Sequence, residues 1–97
     1  MALRVLWTRK AKDERNQILR YYLERNGNPS YSRTLKQHFR QSLELVRVQE
    51  QIGKPTNRED IRCLFVLDYS LFYRTDGQGV VVLSVWDNRQ DPEKRPF

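Results

Sequence analysis

The sequence predicts an α+β domain in the order strand, helix, helix, strand, strand, strand, with a helical hairpin packed on a mainly antiparallel sheet. Three observations predict it. Apolar residues recur at helical steps through residues 9–50. Three runs rich in β-branched and aromatic residues fill 61–87. Gly53-Lys54-Pro55-Thr56-Asn57 separates the two halves and ends the helical one. An antiparallel meander covered on one face by two helices is a stable two-layer solution. It leaves the other face partly open as a binding surface.

Residues 3–7 read as the first strand. Arg4 interrupts their apolar run, so the segment reads as a strand and not as a signal peptide. Thr8 suits a helix N-cap, because its hydroxyl can accept from a free first-turn N–H. The first helix is expected over 9–25, with Ala11, Ile18, Leu19, Tyr22 and Leu23 on one stripe. Asn26-Gly27-Asn28-Pro29 stops it: Gly27 tolerates positive φ, and Pro29 can open the next helix at its first position. The second helix spans 30–50 on Tyr31, Leu35, Phe39, Ser42 and Val46, with Leu43 and Leu45 beside them. A loop this short makes the two helices an antiparallel hairpin. Strands follow at 61–66, 69–75 and 80–87, joined by Leu67-Asp68 and by the hairpin signal Asp76-Gly77-Gln78-Gly79. Residues 88–97 hold two prolines and many charges and read as an extended tail of a single domain, 1–97.

No apolar stretch is long enough for a membrane helix. Cys63 is the only cysteine and His38 the only histidine, so neither an internal disulfide nor a four-ligand zinc site is expected. Cys63 lies in an apolar run and reads as a buried, inert thiol. These facts point to a reducing cytoplasm, without metal or cofactor. Net charge is +6, unevenly spread: residues 1–58 hold 13 Lys/Arg against 5 Asp/Glu, and residues 59–97 hold 5 against 7. Such a field suits a nucleic acid or an acidic protein, and equally suits a well-solvated helical surface.

Three pieces carry a resemblance. They are Trp7-Thr8 followed by Ala11, then Tyr69-Ser70-Leu71-Phe72-Tyr73-Arg74, then Val85-Trp86-Asp87-Asn88-Arg89-Gln90-Asp91-Pro92. In this order and at these distances they resemble the RelE/ParE superfamily of toxins from type II toxin–antitoxin systems, closer to the ParE side. The resemblance covers nearly the whole chain and implies the same strand–helix–helix–strand–strand–strand fold. It implies a cognate antitoxin that wraps and silences the toxin, with operator DNA bound by the complex through the antitoxin. ParE-type members act on DNA gyrase by binding, in keeping with growth regulation and plasmid stabilisation. RelE-type members cut mRNA on the ribosome. A shared fold does not decide between them.

The chemistry of the two branches differs. RNA cleavage needs an acid or base and converging cations. The resemblance places RelE-type lysines on the second sheet strand and an arginine just after the tyrosine opening the third. Matching Tyr69 to that tyrosine puts Cys63 and Phe65 near the lysine positions and Ser70 at the arginine position. None carries a positive charge. If the chain is a nuclease, Arg62, Arg74, Arg89 and Glu44 are its candidate residues. The resemblance implies that some mRNA-cutting relatives use a glutamate on the helical side, which Glu44 could imitate, and a histidine near the C-terminus, whereas His38 is on the second helix and reads as structural. If the chain acts by binding, the candidate target-binding set is Arg89, Asp91, Lys94, Trp86 and Tyr69. Each has a plainer reading. Arg89 can pair with Asp87 or Asp91; Tyr69, Trp7 and Trp86 can be core. The favoured expectation is a ParE-like inhibitor of gyrase. The rival is a ribosome-dependent mRNA endonuclease, and a third possibility is a member that keeps the fold without toxicity.

Overall fold

A computed structural model describes residues 3–77 and 79–97. Its elements are β1 (Arg4–Trp7), α1 (Arg9–Asn26), α2 (Ser30–Val48), β2 (Lys54–Pro55), β3 (Arg62–Val66), β4 (Tyr69–Thr75), β5 (Gly79–Asp87) and a 3-10 turn, Pro92–Lys94. The sheet order is β1-β5-β4-β3-β2. The β2–β3, β3–β4 and β4–β5 pairs are antiparallel, while β1 runs parallel to β5. The expected fold is thus the observed one, with a short strand added at Lys54–Pro55, inside the segment read as a loop.

The local signals act as their chemistry requires. The Thr8 side chain accepts from Ala11 N–H at 3.1 Å and caps α1. Gly27 closes the helix in the left-handed region, at φ 72°, and its N–H donates to Leu23 O. Pro29 sits at the N-cap of α2, one position earlier than its predicted place inside the helix. At the second hairpin, Asp76 N–H donates to Gly79 O and Gly79 N–H to Asp76 Oδ1, although Gln78 lies outside the described residues. Leu67 turns the first hairpin at φ 55°, where side chains with a Cβ are disfavoured.

Strand alternation gives the sheet two unlike faces. Toward the helices, Tyr69, Leu71, Tyr73, Val80, Val82 and Val85 are buried against Leu35, Phe39, Leu43 and Val46 of α2 and Ala11 of α1. Leu23, predicted on the stripe of α1, and Leu45, predicted beside that of α2, are exposed instead, because each is one step off the buried face. On the other side the buried apolar residues among those described are Ile61, Cys63 and Phe72, with Leu83, Trp86 and Phe97 packed around them and the small Ser70 and Ser84 buried beside them. The segment 88–97 contains the 3-10 turn, and its Phe97 ring returns to Phe72 at a centroid distance of 5.3 Å.

Two buried details hold the frame. The Tyr73 hydroxyl accepts from Gly53 N–H and donates to Glu50 O, each at 2.9 Å. A Cβ on Gly53 would lie 2.6 Å from that hydroxyl, so only glycine fits. Pairing of β1 stops at Val82, leaving the rest of β5 with an open edge. Helix α1 covers it. Thr8 N–H donates to Val82 O, and the Glu14 carboxylate accepts from Val85 N–H at 3.1 Å and from the buried Ser84 hydroxyl at 3.0 Å. Lys10 joins the group through Glu14 and Ser84.

Candidate functional site

The end of β5 carries the densest polar cluster of the predicted site residues. Tyr69 and Asp87 are cross-strand partners, so both lie on the helix side of the sheet. Arg89 follows the strand and folds back onto them. Its Nε and Nη2 grip the two Asp87 oxygens at 2.9 Å each, the two-point pairing suited to a guanidinium. Nη2 also reaches Tyr22 Oη at 3.2 Å and Tyr69 Oη at 3.3 Å, while the Tyr69 hydroxyl donates to Tyr22 Oη at 3.1 Å. Tyr22 is anchored in turn by an edge contact with the Tyr31 ring. Beside this cluster, Gln17, Ile18 and Tyr21 of α1 complete a shallow cavity.

The electrostatics suit holding rather than proton transfer. The hydrogen bonds from Arg89 keep the Asp87 carboxyl below its ordinary range, and those to Asp87 and Tyr22 raise Arg89 further above its already high value. Burial, and then the bond to Tyr22, pushes the Tyr69 phenol up. At physiological pH the guanidinium stays charged and the buried Tyr69 phenol stays neutral. The cluster therefore presents a fixed arginine with its outer edge exposed.

Of the predicted binding set, Arg89 and Tyr69 come together. Trp86 does not: it is cross-strand to Ser70 and packs in the cluster on the opposite face. Asp91 caps the 3-10 turn by accepting from Glu93 N–H, and Lys94 is exposed within that turn.

The four nuclease candidates are dispersed. Arg62 pairs across from Tyr73 and donates to Gly53 O at 2.8 Å at the β2 edge. Arg74 is the next residue along β4, on the other face, 3.8 Å from Asp76. Glu44 pairs with Arg47 on α2 at 2.7 Å, and His38 is exposed on the same helix. The positions matched to RelE-type cations do share one face, since Cys63 pairs with Phe72 and Phe65 with Ser70. There Cys63 is buried and its thiol pushed up by burial, Phe65 lies under Lys54, and the Ser70 hydroxyl donates to Asn88 at 2.6 Å. Among the described residues, no three His, Cys, Asp or Glu side chains are grouped to hold a metal ion.

Sequence reasoning missed Tyr22 as a partner of Arg89. The helical spacing places the residue on the apolar stripe, and a tyrosine at the end of such a stripe has a polar tip that seeks a partner. That was the available signal.

Residues 5–92 match the model of the ParE toxin of the type II toxin–antitoxin system parDE. The chain belongs to the ParE toxin family. That match spans the first strand, both helices, the sheet and Arg89. Among solved structures, a chain of a chromosomal ParDE toxin–antitoxin system from P. aeruginosa is similar, with a TM-score of 0.74 at 20% identity over 89% of this chain and 96% of that one. At that identity the likeness concerns the fold. No curated protein sequence matches significantly. No helix among the described residues of this ParE-family chain is long and apolar enough to cross a membrane.

Proposed function

We propose that this ParE-family toxin inhibits DNA gyrase by binding it, without cutting nucleic acid, and is silenced by a cognate antitoxin. One observation carries the reading. The sheet positions matched to the cations of the nuclease branch hold a buried thiol, an aromatic ring and a hydroxyl already bonded to Asn88. Phosphodiester cleavage builds negative charge at phosphorus, and preorganised cations usually supply the largest stabilisation of it. Losing one such group typically costs about a hundredfold or more in rate. The fixed Arg89, with Tyr69 behind it, is the centre of the target-binding surface, and the exposed Lys94 and Asp91 of the segment that follows belong to it.

Purified protein is expected to inhibit gyrase supercoiling and to leave mRNA on programmed ribosomes intact. Induced cells should stop replicating DNA while their messages persist. Codon-positioned mRNA cuts that vanish on mutating Arg62, Arg74 or Arg89 would overturn the reading in favour of the nuclease.

A further inference from the structure

Helix α2 has two unlike sides. Leu35, Phe39, Leu43 and Val46 are buried toward the sheet. The outer side carries Arg33, Lys36, Gln37, Arg40 and Gln41, all exposed, which line one shallow stretch of surface. At helical steps of three and four, these five share a single stripe. The charge there is of one sign: residues 25–43 hold four Lys/Arg and no Asp or Glu. Among the described residues, Arg33, Lys36 and Arg40 have no carboxylate partner, whereas Lys10, Arg47, Arg58, Arg74 and Arg89 do. Among those residues, too, the stretch has neither an apolar nor an aromatic side chain in its lining.

We infer that the outer side of α2 binds the phosphate backbone of double-stranded DNA, with Arg33, Lys36 and Arg40 set against phosphates and Gln37 and Gln41 donating to phosphate oxygens between them. The spacing fits. Arg33 and Arg40 lie about 10 Å apart along the axis at 1.5 Å per residue. Duplex DNA carries one charge per about 1.7 Å of its axis, so each cation meets a phosphate within its own reach. Arginine, lysine and glutamine are among the side chains that hold a protein on a duplex through phosphate oxygens. An acidic protein fits less well, because a protein partner needs aromatic or apolar anchors and the stripe offers none. Single-stranded nucleic acid is disfavoured for a related reason, since unstacked bases need aromatic rings to stack on. Backbone contacts carry no sequence information, so binding is independent of sequence. The inference goes beyond the proposed function, in which the toxin touches only protein. It assigns the DNA contact to the toxin itself, apart from operator DNA held through the antitoxin. On the gyrase reading, it lets the toxin hold the enzyme and its DNA together.

The test titrates the full chain onto a short fluorescent DNA duplex and reads anisotropy over a range of salt. For three phosphate contacts, log K should fall against log salt with a slope of about −3. Arg33→Gln with Arg40→Gln should weaken binding by roughly tenfold or more at low salt and cut the slope to about −1, with the melting temperature checked to exclude unfolding. Lys54→Gln with Arg58→Gln removes the same charge from exposed positions at the β2 edge and just beyond it, and should leave the slope unchanged and the affinity within about threefold. A duplex of unrelated sequence should bind equally well. Equal losses in the two double variants would reduce the effect to net charge and overturn the inference. So would unchanged binding by the α2 variant, tighter binding to single-stranded RNA or to a glutamate-rich peptide, or a marked preference between duplex sequences. Gyrase inhibition is read separately. Duplex binding without inhibition would sink the proposed target and leave this surface standing, and inhibition without duplex binding would do the reverse.

Discussion

The two faces of the sheet are made by the same three long strands, yet they are built for different work. The helix face buries Phe39, Leu35, Tyr69, Leu71 and Tyr73 to 2% exposure or less. Among the described residues the opposite face buries Ile61, Cys63 and Phe72 with two small serines, and leaves Phe65 at 52%. Packing density explains the contrast. A face with no helix over it buries fewer large side chains, and its Phe72 ring is covered by Phe97 of the returning tail. More large side chains are buried on the helix side than on the other.

The largest expected effect tests the helix face. Phe39→Ala leaves a cavity beneath α2 and should destabilise by about 3–5 kcal/mol, read by thermal or denaturant melting. A melt close to the parent's would show that the face is less tightly packed than its burial implies. Tyr73→Phe should come next. It removes the acceptor for Gly53 N–H and the donor to Glu50 O, at a cost of about 1–3 kcal/mol for a buried group left unpaired. On the open face, Phe97→Ala should cost only about 1 kcal/mol, because that ring is partly exposed. A loss as large as that of Phe39→Ala would erase the contrast between the faces. Arg89→Ala should move stability least, by less than about 1 kcal/mol as an exposed ion pair, while abolishing growth arrest on induction. Deletion from Asp91 onward would also remove Phe97, so the single substitution is the cleaner probe.

Asp87 gives a pH test with a definite sign. Arg89 depresses its folded-state pKa. Its stabilising contribution is therefore present above the unfolded carboxyl value, about 3.9, and is lost as pH falls through the lower folded value. The melting temperatures of the parent and Asp87→Asn should differ at neutral pH and converge in acid. A constant difference would mean that the Asp87–Arg89 pair does not stabilise the fold.

Much of this contrast was legible in the sequence. The helical step of Leu35, Phe39 and Val46 identified the buried face of α2, and Thr8 and Gly27 marked the ends of α1. What stayed hidden depends on register. Lys54–Pro55 is too short to alternate and contains a proline, so β2 carried no strand signal. Trp86 and Arg89 are three residues apart and read as one surface until pairing with Tyr69 and Ser70 separates them. Pairing between β1 and β5 leaves no trace in either strand's own pattern. The link from Tyr22 to Arg89 spans 67 residues and no local signal can carry it.

The parallel seam between β1 and β5 also sets an order of events during synthesis. Thr8 and Leu83, which meet at its end, are 75 residues apart in the chain. At about 5–20 residues per second, the ribosome needs roughly 4–15 s to deliver the second partner after the first. The helical hairpin can form early from contacts near in sequence, but β1 must wait for the last strand. Such distant closure slows folding. For that interval the nascent chain exposes an unpaired first strand and the underside of α2, and Arg89 has not yet been made. The Arg89 surface is therefore absent until the strand that precedes it has been made.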